Sequence, residues 1–283
     1  MRHQTFHSAL LLVALVAGCL VTSGASAAVV NLQDLNSSVA VITDQQAGMA
    51  SWVVDDVEHM YQQWFWFRVG DDPEASIDSL LHNDATDVKV TDGNFNPGDD
   101  RVKLRYTDPN GRFEVLVDYI LTGGLPGSNT SDVAETITIH NLGRGPLEMS
   151  FFQYVDFDLN DGDIDDSVQL VNANTMRQTD GLFVAETVAT PAPTLTEVAL
   201  FDSTLDKLND GSPSNLDGTT SSAGAGDWTW AFQWDIVLGA NGSFIISKDK
   251  HISLVPEPSS MVLAAIGLVG ACFAARRRRP AAA

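Results

Sequence analysis

The run Trp228-Thr229-Trp230-Ala231-Phe232-Gln233-Trp234-Asp235-Ile236 puts a large apolar side chain at every second position, with small or polar residues between. A helix would scatter these rings around its circumference. An extended strand sends them all to one face, because successive side chains point to opposite sides of a sheet. The same period recurs upstream. Phe113, Val115, Val117, Tyr119 and Leu121 alternate with Glu114, Leu116, Asp118 and Ile120. Tyr61, Gln63, Phe65, Phe67 and Val69 alternate with Gln62, Trp64, Trp66 and Arg68. Alternation over eight or more residues predicts strands with one face on a core.

Further strands are expected at 38–43, 51–55, 102–107, 133–141, 147–159, 168–172, 181–188, 195–201, 243–247 and 250–254. Between them stand turn-forming pairs such as Asp92-Gly93, Asn96-Pro97-Gly98, Gly123-Gly124, Asp180-Gly181 and Asn241-Gly242. Asp108-Pro109-Asn110-Gly111 predicts a hairpin spanning Arg105–Glu114. Helical turns are expected only near Ala75–Leu81 and Ser203–Leu208, and the Gly- and Ser-rich stretch Asn209–Gly226 reads as a mobile loop. Many short strands without a ten-residue helical pattern predict an all-β chain: a single antiparallel β-sandwich ectodomain over residues 28–254.

The two ends read differently. Met1-Arg2-His3 is followed by an apolar run from Ala9 to Val21 and by Ser23-Gly24-Ala25-Ser26-Ala27-Ala28. This order predicts a secretory signal helix in residues 1–27, with Ala25 and Ala27 at the small positions of an A-x-A cleavage site. Val16-Ala17-Gly18-Cys19 resembles a lipobox, a rival cut that would make Cys19 the lipidated start. At the far end, Pro256-Glu257-Pro258 leads into an uncharged apolar run, 261–275, and then into Arg276, Arg277, Arg278 and Arg279. At ~1.5 Å per residue that run is short for a ~30 Å hydrocarbon core. Flanking serines and snorkelling arginines let it span as a transmembrane helix. The arginines keep the C-terminus cytoplasmic, so the β domain lies outside.

Pro-Glu-Pro, a short apolar helix and a terminal arginine cluster, in that order, resemble the PEP-CTERM sorting signal over 255–279. The resemblance implies recognition and processing by an exosortase, with Pro256, Glu257 and Pro258 as the recognition element. It also implies a protein transiently anchored in the inner membrane, then left at the cell surface or outside, in association with exopolysaccharide and biofilm matrix.

The composition agrees with an exported domain. Both cysteines, Cys19 and Cys272, lie in the terminal segments, so 28–254 contains no disulfide or thiolate ligand. The chain has 16 basic and 37 acidic residues; setting aside Arg2, the four terminal arginines and Glu257 leaves 11 against 36, a charge near −25. That field repels nucleic acid and anionic membrane, and it suits divalent cations as partners.

Two constellations invite a functional reading. Asp156-Phe157-Asp158-Leu159-Asn160-Asp161-Gly162-Asp163 places Asp156, Asp158, Asn160, Asp161 and Asp163 as oxygen ligands for calcium on a tight turn. It is not an EF-hand, since Gly162 falls one position late and Ser167 stands where a bidentate Glu belongs. Trp64 and Trp66, flanked by Gln62 and Arg68, form a candidate platform for stacking sugar rings; packing in the core is the competing reading. Four histidines, His59, His82, His140 and His251, lack metal-ligand spacing, and no nucleophile or phosphate-loop motif is present. The sequence therefore favours a non-enzymatic surface or matrix protein. A carbohydrate-binding module, with calcium assisting, is the alternative, and a polysaccharide-active enzyme the more distant one.

Overall fold

A computed structural model describes residues 28–161, 166–224 and 226–254. The signal segment with Ala25 and Ala27, the sorting tail with Pro256, Glu257, Pro258 and Arg276 to Arg279, and Asp163 lie outside the described residues. Among the described residues no helix is long and apolar enough to cross a membrane.

The strands are β1 (Val29–Asp34), β2 (Ser37–Ile42), β3 (Met49–Val54), β4 (Val57–Glu58), β5 (Gln62–Val69), β6 (Ala75–Ser76), β7 (Val88–Thr91) and β8 (Arg101–Thr107). They continue as β9 (Phe113–Gly123), β10 (Ser131–Asn141), β11 (Leu147–Asp156), β12 (Ser167–Asn172), β13 (Thr175–Asp180), β14 (Leu182–Thr190), β15 (Leu195–Leu200), β16 (Trp228–Leu238) and β17 (Ser243–Leu254). A short helix α1 (Asp84–Asp87) and a 3-10 turn at Leu159–Asp161 lie outside the places where helical turns are expected, whereas a 3-10 turn at Ile77–Ser79 and the helix α2 (Ser203–Asn209) form at those two places.

The named strands pair antiparallel in two sheets. One runs β1-β2-β3-β5-β11-β16-β15, with β4 and β6 alongside; the other runs β12-β13-β14-β17-β10-β9-β8-β7. The fold is thus all-β and sandwich-like, as the period-2 pattern requires. Phe67 meets Phe113 at 5.2 Å between ring centres, and Phe65 stacks on Phe151 at 5.6 Å. Trp230, Phe232 and Trp234 are fully buried, as the opening pattern demands.

The Asp108 turn forms as expected. Its carboxylate accepts from the backbone of Asn110 and Arg112 and from the Arg112 guanidinium, and Gly111 takes the left-handed φ of 66° that closes β8 onto β9. Two expectations need correction. Residues 243–247 and 250–254 are one strand, β17, because Lys248 and Lys250 point inward in phase with Ile246 and Ile252. The strand expected at 147–159 ends at Asp156. The described residues of 210–226 form no helix or named strand, but they are stitched down: Leu216 N donates to Gln233 Oε1 at 2.9 Å and Asp217 N to Glu197 Oε2 at 2.9 Å.

Candidate metal centre

Strands β11 and β16 are antiparallel neighbours with Val155 opposite Trp230. Residues just past the end of β11 therefore lie beside those just before β16. This register brings Asp156 and Asp158 to Asp227, with one carboxylate oxygen of each within 4.8 Å of the others. Asp156 is only 1% exposed. Its Oδ2 accepts from the Tyr154 hydroxyl at 3.4 Å, while Oδ1 has no hydrogen-bond partner among the described residues. Nearby Asp166 is also buried; its Oδ2 accepts from Gln178 Nε2, and its Oδ1 is likewise unpartnered among the described residues.

Burial, then the neighbouring charges of Asp158 and Asp227, push the Asp156 carboxyl up to about 8. Burial raises Asp166 to about 7, against the hydrogen bond from Gln178 and with the charges of Asp180, Asp158 and Asp227. Desolvated carboxylates crowded this closely are costly in the absence of a countercharge. The donor set is all oxygen, which suits a hard cation such as Ca²⁺; carbonyls and waters would complete its six to eight ligands.

Only two of the five sequence-predicted ligands join this cluster. Asn160, at a left-handed φ of 61°, directs its Nδ2 to the Asp180 carbonyl, and its backbone N donates to His59 Nδ1 at 3.1 Å. His59 is buried, and burial holds its imidazole below the usual histidine range, consistent with a neutral ring accepting that bond. The Asp161 side chain and all of Asp163 fall outside the described residues. Asp227, 71 residues from Asp156, was not foreseen; its signal is the strand pairing, which no local motif carries.

The tryptophan platform is overturned. Trp64 and Trp66 project from the face of β5 opposite Gln63, Phe65 and Phe67, yet both are 0% exposed. Trp64 Nε1 donates to Asp78 Oδ1 at 2.9 Å, and Trp66 Nε1 to Asn209 Oδ1 at 3.2 Å. Arg68, beside them, donates to Glu74 at 2.7 Å, to the Ser214 carbonyl and to Asn215. The segment from α2 to Leu216 thus roofs this face of β5, β11 and β16. Glu197 anchors the roof by accepting from Thr204, Lys207 and Asp217 N. Neither ring can stack on a sugar.

Elsewhere an open groove of about 950 Å³ lies against the β1–β2 turn, lined by Asn31, Gln33, Asn36, Asp55, Asn96 and Asp99 among others.

The architecture resembles that of a bacterial glucoamylase complexed with acarbose, with a TM-score of 0.54 and 11% identity over 82% of this chain and 32% of that one. The chain therefore spans about a third of the glucoamylase. It also resembles a protein assigned as an aldose 1-epimerase from Escherichia coli K12, with a TM-score of 0.51 and 11% identity over 81% of this chain and 100% of that one. At such identities the likeness is one of fold. No curated protein matches the chain in sequence. Residues 254–279 match the PEP-CTERM protein-sorting motif. That tail marks an exported surface protein that is sorted and processed by an exosortase.

Proposed function

We propose that the domain is a non-enzymatic surface or matrix module that binds a divalent cation of the calcium type through Asp156, Asp158 and Asp227, and that associates with extracellular polysaccharide after exosortase processing. The observation that carries this reading is the Asp156 carboxylate, buried, unpartnered at Oδ1 among the described residues and pressed against two others. Divalent cations also offset the strongly acidic charge of the domain. The test is calorimetric titration of the protein with calcium, followed by retention of secreted polysaccharide on the immobilised protein with calcium or with EDTA. Calcium binding together with calcium-dependent retention is expected; absence of both overturns the reading.

The open groove favours a second reading, a carbohydrate-binding module. The exposed amides of Asn31 and Gln33 are suited to sugar hydroxyls, while Asn36 and Asp55 hold the neighbouring turns in place. Retention that survives EDTA and is lost on N31A/Q33A would favour this reading over the first.

A further inference from the structure

Three adjacent strands of the second sheet place a charged residue where the alternation calls for an apolar one. On β10 it is Glu135, between Val133 and Ile137; on β14 it is Glu186, between Val184 and Val188; on β17 it is the pair Lys248 and Lys250. Glu135 lies directly opposite Lys248, and Glu186 opposite Lys250. All four side chains are 0% exposed.

The contacts are specific. Lys250 Nζ meets Glu135 Oε1 and donates to Gln63 Oε1 at 2.7 Å. Lys248 Nζ meets Glu135 Oε2 and lies 3.1 Å from Glu186 Oε1. Glu186 Oε1 is also 3.3 Å from Lys250 Nζ. Glu186 is held by Gln153 Nε2 at 2.7 and 3.0 Å and by Trp230 Nε1 at 3.0 Å. The Phe65 ring sits 5.3 Å from Lys248 Nζ.

We propose that this cluster is an amide-forming site, in which Lys250 and Glu135 condense to an intramolecular isopeptide bond that fastens β17 to β10. In a dry interior a neutral amine and a neutral carboxylic acid are favoured over an ammonium and a carboxylate, so a proton passes from Lys250 to Glu135. Burial alone holds the Lys250 amine well below the ordinary lysine range. Burial lowers Lys248 less far, to about 8, because the Glu186 charge beside it favours its ammonium form. Lys248 accordingly remains the cation, polarising the Glu135 carboxyl through Oε2. The Lys250 lone pair attacks Cδ of Glu135 and a C–N bond forms. Glu186 takes a proton from the nitrogen and returns it to the departing hydroxyl. The C–O bond breaks and one water leaves. Atoms and charges balance, no oxidant is involved, and Glu186 and Lys248 end as they began. Held fixed against one another, the reacting groups need no encounter step.

The test is mass spectrometry of the full chain after tryptic digestion. Glu135 falls in the peptide Phe113–Arg144, and trypsin does not cut after an amidated Lys250. The expected product is this peptide joined to the one beginning at Asp249, lighter than the two together by one water. On a denaturing gel the linked chain, closed into a loop across 115 positions, should run ahead of K250M. E135Q should give the same linked product, with ammonia leaving in place of water, and E186Q should leave most of the chain unlinked. Wild-type chain in which both peptides are found free overturns the proposal, whatever the variants do. Linkage through Lys248 overturns the assignment of Lys250 as nucleophile.

Discussion

At the scale of single residues, Asp156 sits in an environment at odds with its chemistry. Its folded-state value of about 8 lies far above its ordinary 3.8. Between about pH 4 and pH 8 the metal-free folded domain therefore holds a proton that the unfolded chain has released. Stability contributed by that proton is present at low pH and lost as pH rises through this window. In EDTA, thermal melts should show Tm falling from pH 5 to pH 8; with calcium, which binds the ionised form, the fall should be abolished. A hundredfold excess of calcium over Kd should add about 2.7 kcal/mol. D156N should make the fall in EDTA shallower, leaving the part that Asp166, raised to about 7, contributes over the same window, and should remove the calcium response. Trp66 makes a second, simpler case. W66A removes a buried indole and its bond to Asn209, and should cost about 3–5 kcal/mol in urea unfolding at unchanged calcium affinity.

At the scale of elements, the link between β2 and β3 is set by Gly48. Its φ is 55°, and a Cβ there would lie 2.1 Å from the Trp64 ring. G48A should thus cost about 2–4 kcal/mol, from left-handed strain together with overpacking, read as a lower urea midpoint with little change in m. Most strands were legible because their periods were clean. β16 and β9 carry a large apolar residue at every second position over most of their length. β13, Thr175-Met176-Arg177-Gln178-Thr179-Asp180, was hidden because it buries Gln178 alongside Met176, so composition conceals its inward face. β17 reads as two strands for the same reason, with Lys248 and Asp249 taken as a break between 243–247 and 250–254. Two of the three members of the metal cluster, Asp156 and Asp158, are visible in the sequence. Asp227 is not, since its place depends on β11 pairing with β16 across a long stretch of chain. For Trp64 and Trp66 the sequence leaves a sugar platform and core packing both open, because alternation says which face a ring takes and nothing about what covers it; Asp78 bonds Trp64 and Asn209 bonds Trp66.

At the scale of the whole molecule, the roof from α2 to Leu216 decides what the domain shows to its surroundings. It hides Trp66 and Phe152 and leaves an acidic exterior. Replacing residues 210–217 by a short Gly-Ser link should expose that aromatic face, seen as bound hydrophobic dye and salt-promoted association, with β-sheet circular dichroism retained. E197Q should loosen the same roof more gently, read as faster proteolysis at Lys207, because the carboxylate gathers Thr204, Lys207 and Asp217 at one point.

β17 is the last strand of the described domain, yet it lies in the middle of its sheet, between β14 and β10, and the sorting motif begins at its final residue, Leu254. In the order of the sequence, the other seven strands of that sheet come first and form two separate groups, β12-β13-β14 and β10-β9-β8-β7, with an unfilled slot between them. They join only through the closing twelve residues. The strand that joins the two groups and the matched sorting motif therefore meet at Leu254, in one contiguous piece of polypeptide.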